Sequence, residues 1–175
     1  MRTIVYIGTS LDGFIARKDG EIDWLVQFAN DEAFSSYEEL IGRIDAFVIG
    51  RGTFEKVLSF PTWPYTKKVF VLSNSLKNAP ESVSKKVTIL SKKPGELLSH
   101  LSGMGYSTIY VDGGKVIQDF LKEDLIDELI ISKAPVLIGS GIPLFGHLDA
   151  DLSFQHIRTV VGSNGLVRSY YEKIG

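Results

Sequence analysis

The sequence contains no cysteine, which excludes disulfides, thiol nucleophiles and cysteine-ligated zinc or iron–sulfur sites. Histidine is scarce too. His100, His147 and His156 are scattered along the chain and read as surface or packing residues, so no metal site is expected. Neither sign of charge dominates: 19 Lys and Arg against 21 Asp and Glu give a formal net charge of −2. A nucleic-acid or membrane-surface partner therefore has no electrostatic support. The chain opens on a strand-like run, with no basic region leading into a long apolar segment. Neither a signal peptide nor a membrane span is expected, and the cytoplasm is the expected location. The G-x-G-x-x-G fingerprint, the G-x-x-x-x-G-K-[ST] loop and the nucleophile elbow are all absent, which argues against an ordinary Rossmann dinucleotide site and the common nucleotide and hydrolase motifs. There is no internal repeat, low-complexity stretch or linker, so residues 1–175 read as one domain, long enough to bury a good core.

What the chain does have is a set of apolar strands that run into glycine. The central one is Ile109-Tyr110-Val111-Asp112-Gly113-Gly114-Lys115, followed by Val116, Ile117, Phe120 and Leu121 on one helix face. Glycine allows close backbone approach, and a helix start offers unpaired N–H groups and the positive end of a dipole, which together suit a phosphate. The same stretch can also be a plain tight turn.

Taken in order, Thr3 to Thr9 reads as a buried strand, Phe14-Ile15-Ala16 as a short continuation and Asp19-Gly20 as a turn. Trp24 and Leu25 anchor a loop. Asn30 or Asp31 caps a helix whose apolar face is Phe34, Tyr37, Leu40 and Ile41. Ala46 to Ile49 is a continuous apolar strand, as expected in a sheet covered on both faces. It enters Gly50-Arg51-Gly52-Thr53 and a short helix capped near Thr53. Val69 to Leu72 and Val87 to Leu90 are further strands, and Pro94 starts a helix with Leu97, Leu98 and Leu101 as its stripe. Leu129-Ile130-Ile131 is a strand. Leu137 to Phe145 is an apolar run that reads either as a buried strand or as an exposed interface of a homodimer. Ser163-Asn164-Gly165 joins two strands as a hairpin. The pattern is one α/β domain with a mostly parallel sheet and an antiparallel C-terminal hairpin.

Three strands end in small or polar residues: at Gly50-Arg51-Gly52-Thr53, at Ser73-Asn74 and at Asp112-Gly113-Gly114. Ligands of open α/β sheets bind beyond such carboxyl ends. Two glycine-bearing helix starts and an arginine that can fork onto phosphate suit a ligand with more than one phosphate. Asp12 and Asp112 each stand at a strand end beside glycine and are the candidate catalytic acids. Trp24 and Trp63 read as anchors rather than ligand stackers.

Ser10-Leu11-Asp12-Gly13-Phe14-Ile15-Ala16, Gly50-Arg51-Gly52-Thr53-Phe54-Glu55, Asp112-Gly113-Gly114, and Leu125 to Leu129 followed by Pro135 to Phe145 occur here in that order. Together they resemble the dihydrofolate reductase-like superfamily, above all the reductase domain of the bifunctional riboflavin-biosynthesis deaminase/reductase and its stand-alone relatives. The resemblance implies a central eight-stranded sheet, NADPH as cofactor, a homodimer and hydride transfer to a small heterocyclic or carbonyl substrate. The model activity is 5-amino-6-(5-phosphoribosylamino)uracil reductase. By the same resemblance, Gly113, Gly114 and Lys115 would meet the pyrophosphate, and Gly50, Arg51 and Thr53 would hold phosphates. Ser73 and Asn74 would meet the ribose and its 2′-phosphate, and Gly8 and Ile15 would line the nicotinamide. True dihydrofolate reductases carry an acid on the first helix, where this chain has Phe34. The riboflavin branch carries an acid, usually glutamate, before Gly-Gly, where this chain has Asp112. A true dihydrofolate reductase and a nucleotide-binding module without turnover are the competing readings.

Overall fold

A computed structural model describes all 175 residues. The alternation along its strands decides the layering. In β3 (Ala46–Gly50), Ala46 and Val48 enter one apolar core while Phe47 and Ile49 enter another. Successive side chains of a strand point to opposite faces, so a strand buried at every position needs cover on both. The cover on one face is α2 (Asp31–Arg43) and α3 (Arg51–Leu58), through Leu40, Phe54 and Val57. On the other face it is α4 (Pro94–Gly103) and α5 (Gly114–Lys122), through Leu97, Leu101, Val116, Ile117, Phe120 and Leu121. Each such side chain, fully buried, contributes roughly 1.5–3 kcal/mol of transfer free energy.

Between the layers lies an eight-stranded sheet. Its other members are β1 (Arg2–Thr9), β4 (Lys68–Leu72), β5 (Val87–Leu90), β6 (Thr108–Asp112), β7 (Glu128–Lys133), β9 (Phe154–Val161) and β10 (Val167–Lys173). The order is β5-β4-β3-β6-β1-β7-β10-β9. All pairs are parallel except β7–β10 and the β9–β10 hairpin. The expected eight-stranded, mostly parallel sheet with an antiparallel C-terminal hairpin is therefore the observed one.

The hairpin tip is tied to the start of α2. Asn164 Nδ2 donates to Phe28 O (2.5 Å), and the Ser163 N–H donates to the Glu32 carboxylate (3.0 Å). Asn30 caps α2 by accepting the Ala33 N–H (2.9 Å). The short helix α1 (Asp23–Val26) buries Trp24 against Ala134 and Leu166, an anchor as expected.

Three details differ from expectation. Helix α3 starts at Arg51 with Gly50 as its N-cap, and Thr53 makes no capping bond, because the chain turns directly out of β3 into the helix. Phe34 lies on the stripe of Tyr37 and Ile41 but is 63% exposed, and it stays outside the apolar core that Tyr37, Leu40 and Ile41 join. The Leu137–Phe145 run is neither a long strand nor uniformly buried. Only Ile142–Pro143 (β8) pairs, with β2 (Phe14–Ala16), and Leu144 is buried while Leu137 and Phe145 are exposed. Gly139, at φ +76°, breaks the regular backbone that the run would need as one long strand.

Candidate active site

β3 and β6 are neighbours, yet the helices that follow them leave on opposite faces of the sheet: α3 with one core, α5 with the other. This is a topological switch point, where an open parallel sheet leaves a crevice beyond its carboxyl edge. The two glycine junctions meet there. Gly113 has φ +97°, which L side chains rarely adopt, and a Cβ on it would lie 2.8 Å from Thr53 Oγ1 and 3.5 Å from Gly50 N. A side chain at this position would thus both strain the backbone and push the two helix starts apart. The first intrahelical bond of α5 runs from the Ile117 N–H to Gly113 O (2.9 Å). The amides of Gly114, Lys115 and Val116 precede it and point out of the helix start.

Asp112 occupies the last position of β6. Tyr110, two residues earlier, packs in the core under α2 and α3, so alternation sends Asp112 to that same face. Its Oδ1 accepts the N–H of Gly113 (2.7 Å). That bond stiffens the turn but is not a helix cap, because the N-cap residue is Gly113 itself. Burial pushes the Asp112 carboxyl up to about 6 and outweighs the opposing hydrogen bond from Gly113. No ion pair involves Asp112.

Around it stand three phenols. Burial first, and then the Asp112 charge, raise Tyr37 to about 12 and raise Tyr65 and Tyr110 as well. The Tyr110 hydroxyl donates to Tyr6 O (2.5 Å), and Tyr37 packs edge-on against Tyr6 at 6.0 Å. Tyr65 follows Trp63 in the loop after α3, the two rings 5.3 Å apart. These aromatics escaped the sequence reading. The period-2 alternation of β6 is the signal that would have placed Tyr110 beside Asp112.

The remaining expected residues fall into groups. Arg51 Nη1 donates to Ser75 Oγ (3.0 Å), and its Nε lies 3.4 Å from Glu55. Ser73 Oγ accepts the amides of Ser75 (3.2 Å) and Leu76 (3.0 Å). Asn74 Oδ1 accepts from Ser91 Oγ (2.6 Å). The carboxyl ends of β3, β4 and β5 are thus joined into one polar rim, to which Ser75 and Ser91 also belong. Ile15 reaches the start of α5: a Cβ on Gly114 would meet Ile142 Cγ2 at 2.9 Å and Ile15 Cδ1 at 3.1 Å. The bareness of Gly8 is taken up by Leu25, whose Cδ2 would be 2.5 Å from an added Cβ. Lys115 points to solvent and pairs with Asp119. Asp12 is exposed and fully engaged. It accepts from Ser10 Oγ (2.6 Å) and from the amides of Gly139 (2.8 Å) and Ile138 (3.3 Å), and these bonds hold its carboxyl below the usual range. It ties the loop after β1 to the loop before β8. No group of His, Asp and Glu is arranged to hold a metal ion.

The architecture and its switch-point crevice are those of the dihydrofolate reductase-like class. A dihydrofolate reductase from Enterococcus faecalis, solved with NADP(H), superposes with TM-score 0.69 at 16% identity, over 99% of this chain and 97% of that one. Within the class, residues 3–167 match the model of the RibD C-terminal domain, and the chain belongs to that family. A crystal structure from Shewanella sp. PV-4, assigned provisionally to riboflavin biosynthesis, aligns over the full length of both chains with TM-score 0.94 and 43% identity. YwjB of Bacillus subtilis (strain 168), described only as uncharacterized, is 40% identical over 152 residues, 84% of each chain. The Thermotoga maritima diaminohydroxyphosphoribosylaminopyrimidine deaminase/5-amino-6-(5-phosphoribosylamino)uracil reductase shares the fold at 15% identity and TM-score 0.77, this chain spanning 56% of it.

Proposed function

We propose that the chain is an NADPH-dependent reductase of a small heterocyclic substrate, with Asp112 as the proton donor. The observation that carries this reading is the position of Asp112. It is a partly buried acid with no cationic partner, set between a glycine-lined helix start and an aromatic cluster.

The residues present suit a dinucleotide. The meeting of Gly50, Thr53 and Gly113 leaves backbone amides where a side chain would otherwise stand, and the starts of α3 and α5 converge on it. Gly113, Gly114 and the helix starts would hold the pyrophosphate, and Ile15 would line the nicotinamide. Arg51, Ser73 and Asn74 would receive the adenosine ribose and its 2′-phosphate. When bound, the cofactor supplies the hydride equivalent. Burial disfavours the Asp112 anion and raises the carboxyl to about 6, within reach of neutral pH, so that its protonated form can deliver a proton to the substrate atom that becomes basic on reduction. The Gly113 N–H bond fixes the carboxyl's orientation, and the phenols of Tyr37, Tyr65 and Tyr110 keep bulk water from it. Membership of a family related to riboflavin-pathway reductases, and the shared fold with a reductase solved with NADP(H), support the reading. Folate is disfavoured as substrate because the position that the resemblance gives to the first-helix acid holds Phe34.

The test pairs a binding titration with turnover in Asp112→Asn, using as assay substrate any pyrimidine or carbonyl compound that the wild-type protein reduces. The reading requires NADPH binding to survive while reduction falls about a hundredfold, the usual scale of general acid catalysis. Undiminished turnover removes the assignment of Asp112. Failure of the wild-type chain to bind NADPH removes the reductase reading itself.

A further inference from the structure

Beyond Ile4 the sheet parts. β1 and β6 pair from Arg2–Thr108 to Ile4–Tyr110 and no further, although β1 runs on to Thr9 and β6 to Asp112. Two residues past the last pair stand Tyr6 on one strand and Asp112 on the other, both on the α2 face by alternation. On the far side of Tyr6 the pairing continues: β7 follows β1 to Thr9–Lys133 and β10 to Lys133–Val167. Gly8, Ser132 and Arg168 therefore form one row across three strands. The row lies on the α2 face too, since Ile130 and Tyr170, each two residues away, pack in that core.

Arg168 reaches back along this row. Its Nε donates to Ser132 Oγ (2.8 Å), and its guanidinium carbon lies 5.3 Å from the centre of the Tyr6 ring. One strand spacing and the width of that ring, roughly 10 Å in all, separate the guanidinium from Asp112. Arg2, Arg17, Arg43 and Arg51 each pair with a carboxylate. Arg158 lies over Tyr170 (3.8 Å) on the exposed edge strand. Arg168 is half-buried, and its two terminal nitrogens meet no protein acceptor yet stay open to solvent. Glu32 does not take them. It accepts the Ser163 amide (3.0 Å), and that bond, ahead of the Arg168 charge, holds its carboxyl below the usual range. A guanidinium stripped of part of its water and given one neutral partner is a donor fork without its anion. The fork carries a single positive charge, with Glu32 near it and Asp112 beyond Tyr6. The start of α2 offers no further donors, because Asn30 caps it and Asp31 and Glu32 stand in its first turn. One negative charge is balanced here, and the second charge of a phosphate dianion is not. A carboxylate also matches the planar pair of terminal nitrogens.

We propose that Arg168 receives a carboxylate of the substrate, so that the protein acts on a heterocyclic carboxylic acid held between this guanidinium and Asp112. The proposal rests on the reductase reading for where the substrate lies. Arg168 is then the residue that sets specificity: Ser132 fixes the direction of its fork, and Tyr6 spaces the anionic end of the substrate from the end that meets the acid.

The experiment titrates the protein, with and without saturating NADPH, against two acids: orotate (uracil-6-carboxylate) and pterin-6-carboxylate. Each is set beside its neutral carboxamide, and uridine 5′-monophosphate supplies the phosphate. Binding is read from fluorescence and from the nuclear magnetic resonance signal of the Arg168 Nε–H. The expected result is that at least one acid binds, about tenfold or more tighter than its amide, as for a hydrogen bond to a charged group. The difference shrinks with added salt, and the Arg168 signal shifts with the acid and not with the amide. Arg168→Met should erase the difference while the protein still melts cooperatively. Arg168→Lys, which keeps the charge without the fork, should retain part of it, and it carries the test if the methionine variant does not fold. Equal affinity for acid and amide, no binding of either acid, or a preference that survives in Arg168→Met overturns the proposal. So does a preference of about tenfold or more for uridine 5′-monophosphate over orotate. A protein that tells acid from amide but does not bind NADPH would keep this inference and lose the reductase reading. One that binds NADPH and treats acid and amide alike would keep the reading and lose the inference.

Discussion

A buried carboxylate and a half-buried one mark opposite ends of the sheet, and they are treated in opposite ways. Glu128 begins β7 at the amino edge and is 5% exposed. Arg43 donates to it through both terminal nitrogens (3.0 and 2.5 Å) and Arg2 through one (2.9 Å). Burial alone would raise its pKa, but the hydrogen bonds and charges of Arg43 and Arg2 outweigh burial and leave it lowered. Asp112 ends β6 at the carboxyl edge with a single backbone donor, and burial wins. The first acid is held ionised to fasten α2 and β1 to β7. The second is left unpaired at a cost to the fold, and such unpaired, perturbed acids concentrate where proteins do chemistry. The comparison teaches that burial alone does not decide an acid's role; the partners supplied to it do.

Breaking the fastened end should have the largest effect. Glu128→Gln removes a charge that two arginines face, and breaking a buried pair from one side costs up to several kcal/mol. Both arginines are 45% exposed and regain water, so the expected loss is about 3 kcal/mol, or roughly 6–12 °C in melting temperature. Calorimetry at pH 7 measures it. An unchanged melting temperature would show that the grip contributes nothing.

The reacting end should respond with the opposite sign. The raised pKa of Asp112 means that its contribution to stability is present below the ordinary aspartate value and lost as pH rises through about 6. A rise from 3.8 to about 6 corresponds to roughly 3 kcal/mol, the upper limit of what ionisation takes from the fold. Asp112→Asn should therefore be about 2 kcal/mol more stable than the parent at pH 8 and about equal to it at pH 4, as urea melts at the two pH values would read. For Glu128, with its lowered pKa, stability is instead lost as pH falls below the ordinary glutamate range. An Asp112→Asn variant less stable than the parent at pH 8 would return Asp112 to a structural role like that of Glu128.

The smallest effect belongs to the polar rim. Arg51 is half-exposed and shares its guanidinium with Ser75 and Glu55. Arg51→Ala should reduce preference for NADPH over NADH by about tenfold, the low end for a charge-assisted phosphate contact. Titration with both cofactors decides, and an unaltered preference would move the 2′-phosphate away from Arg51.

The difference between the two ends also explains what could be read from the chain. Strands such as Ala46–Ile49 and Val69–Leu72 announce themselves because burial on both faces demands unbroken apolar runs. The Gly113–Gly114 junction is legible because so few residues adopt a positive φ. Asp112 could be singled out by its place between a strand and those glycines. The grip on Glu128 could not, since Arg2, Arg43 and Glu128 are brought together only by the order β6-β1-β7 and by the length of α2. The aromatic cluster was hidden for the same reason: Tyr37, Tyr65 and Tyr110 come from a helix, a loop and a strand far apart in sequence. Asp12 was legible as a strand-end acid, but its partners, the amides of Ile138 and Gly139, lie in a loop whose path local periodicity does not give.

The central claim is that the carboxyl edge of the sheet holds an acid whose raised pKa lets it exchange a proton near neutral pH. A titration of the Asp112 side-chain carboxyl carbon by nuclear magnetic resonance, assigned by its loss in Asp112→Asn, tests it directly. The account predicts a midpoint near pH 6. A midpoint at or below the ordinary aspartate value would show a carboxylate already ionised and paired, and would contradict the role given to this site.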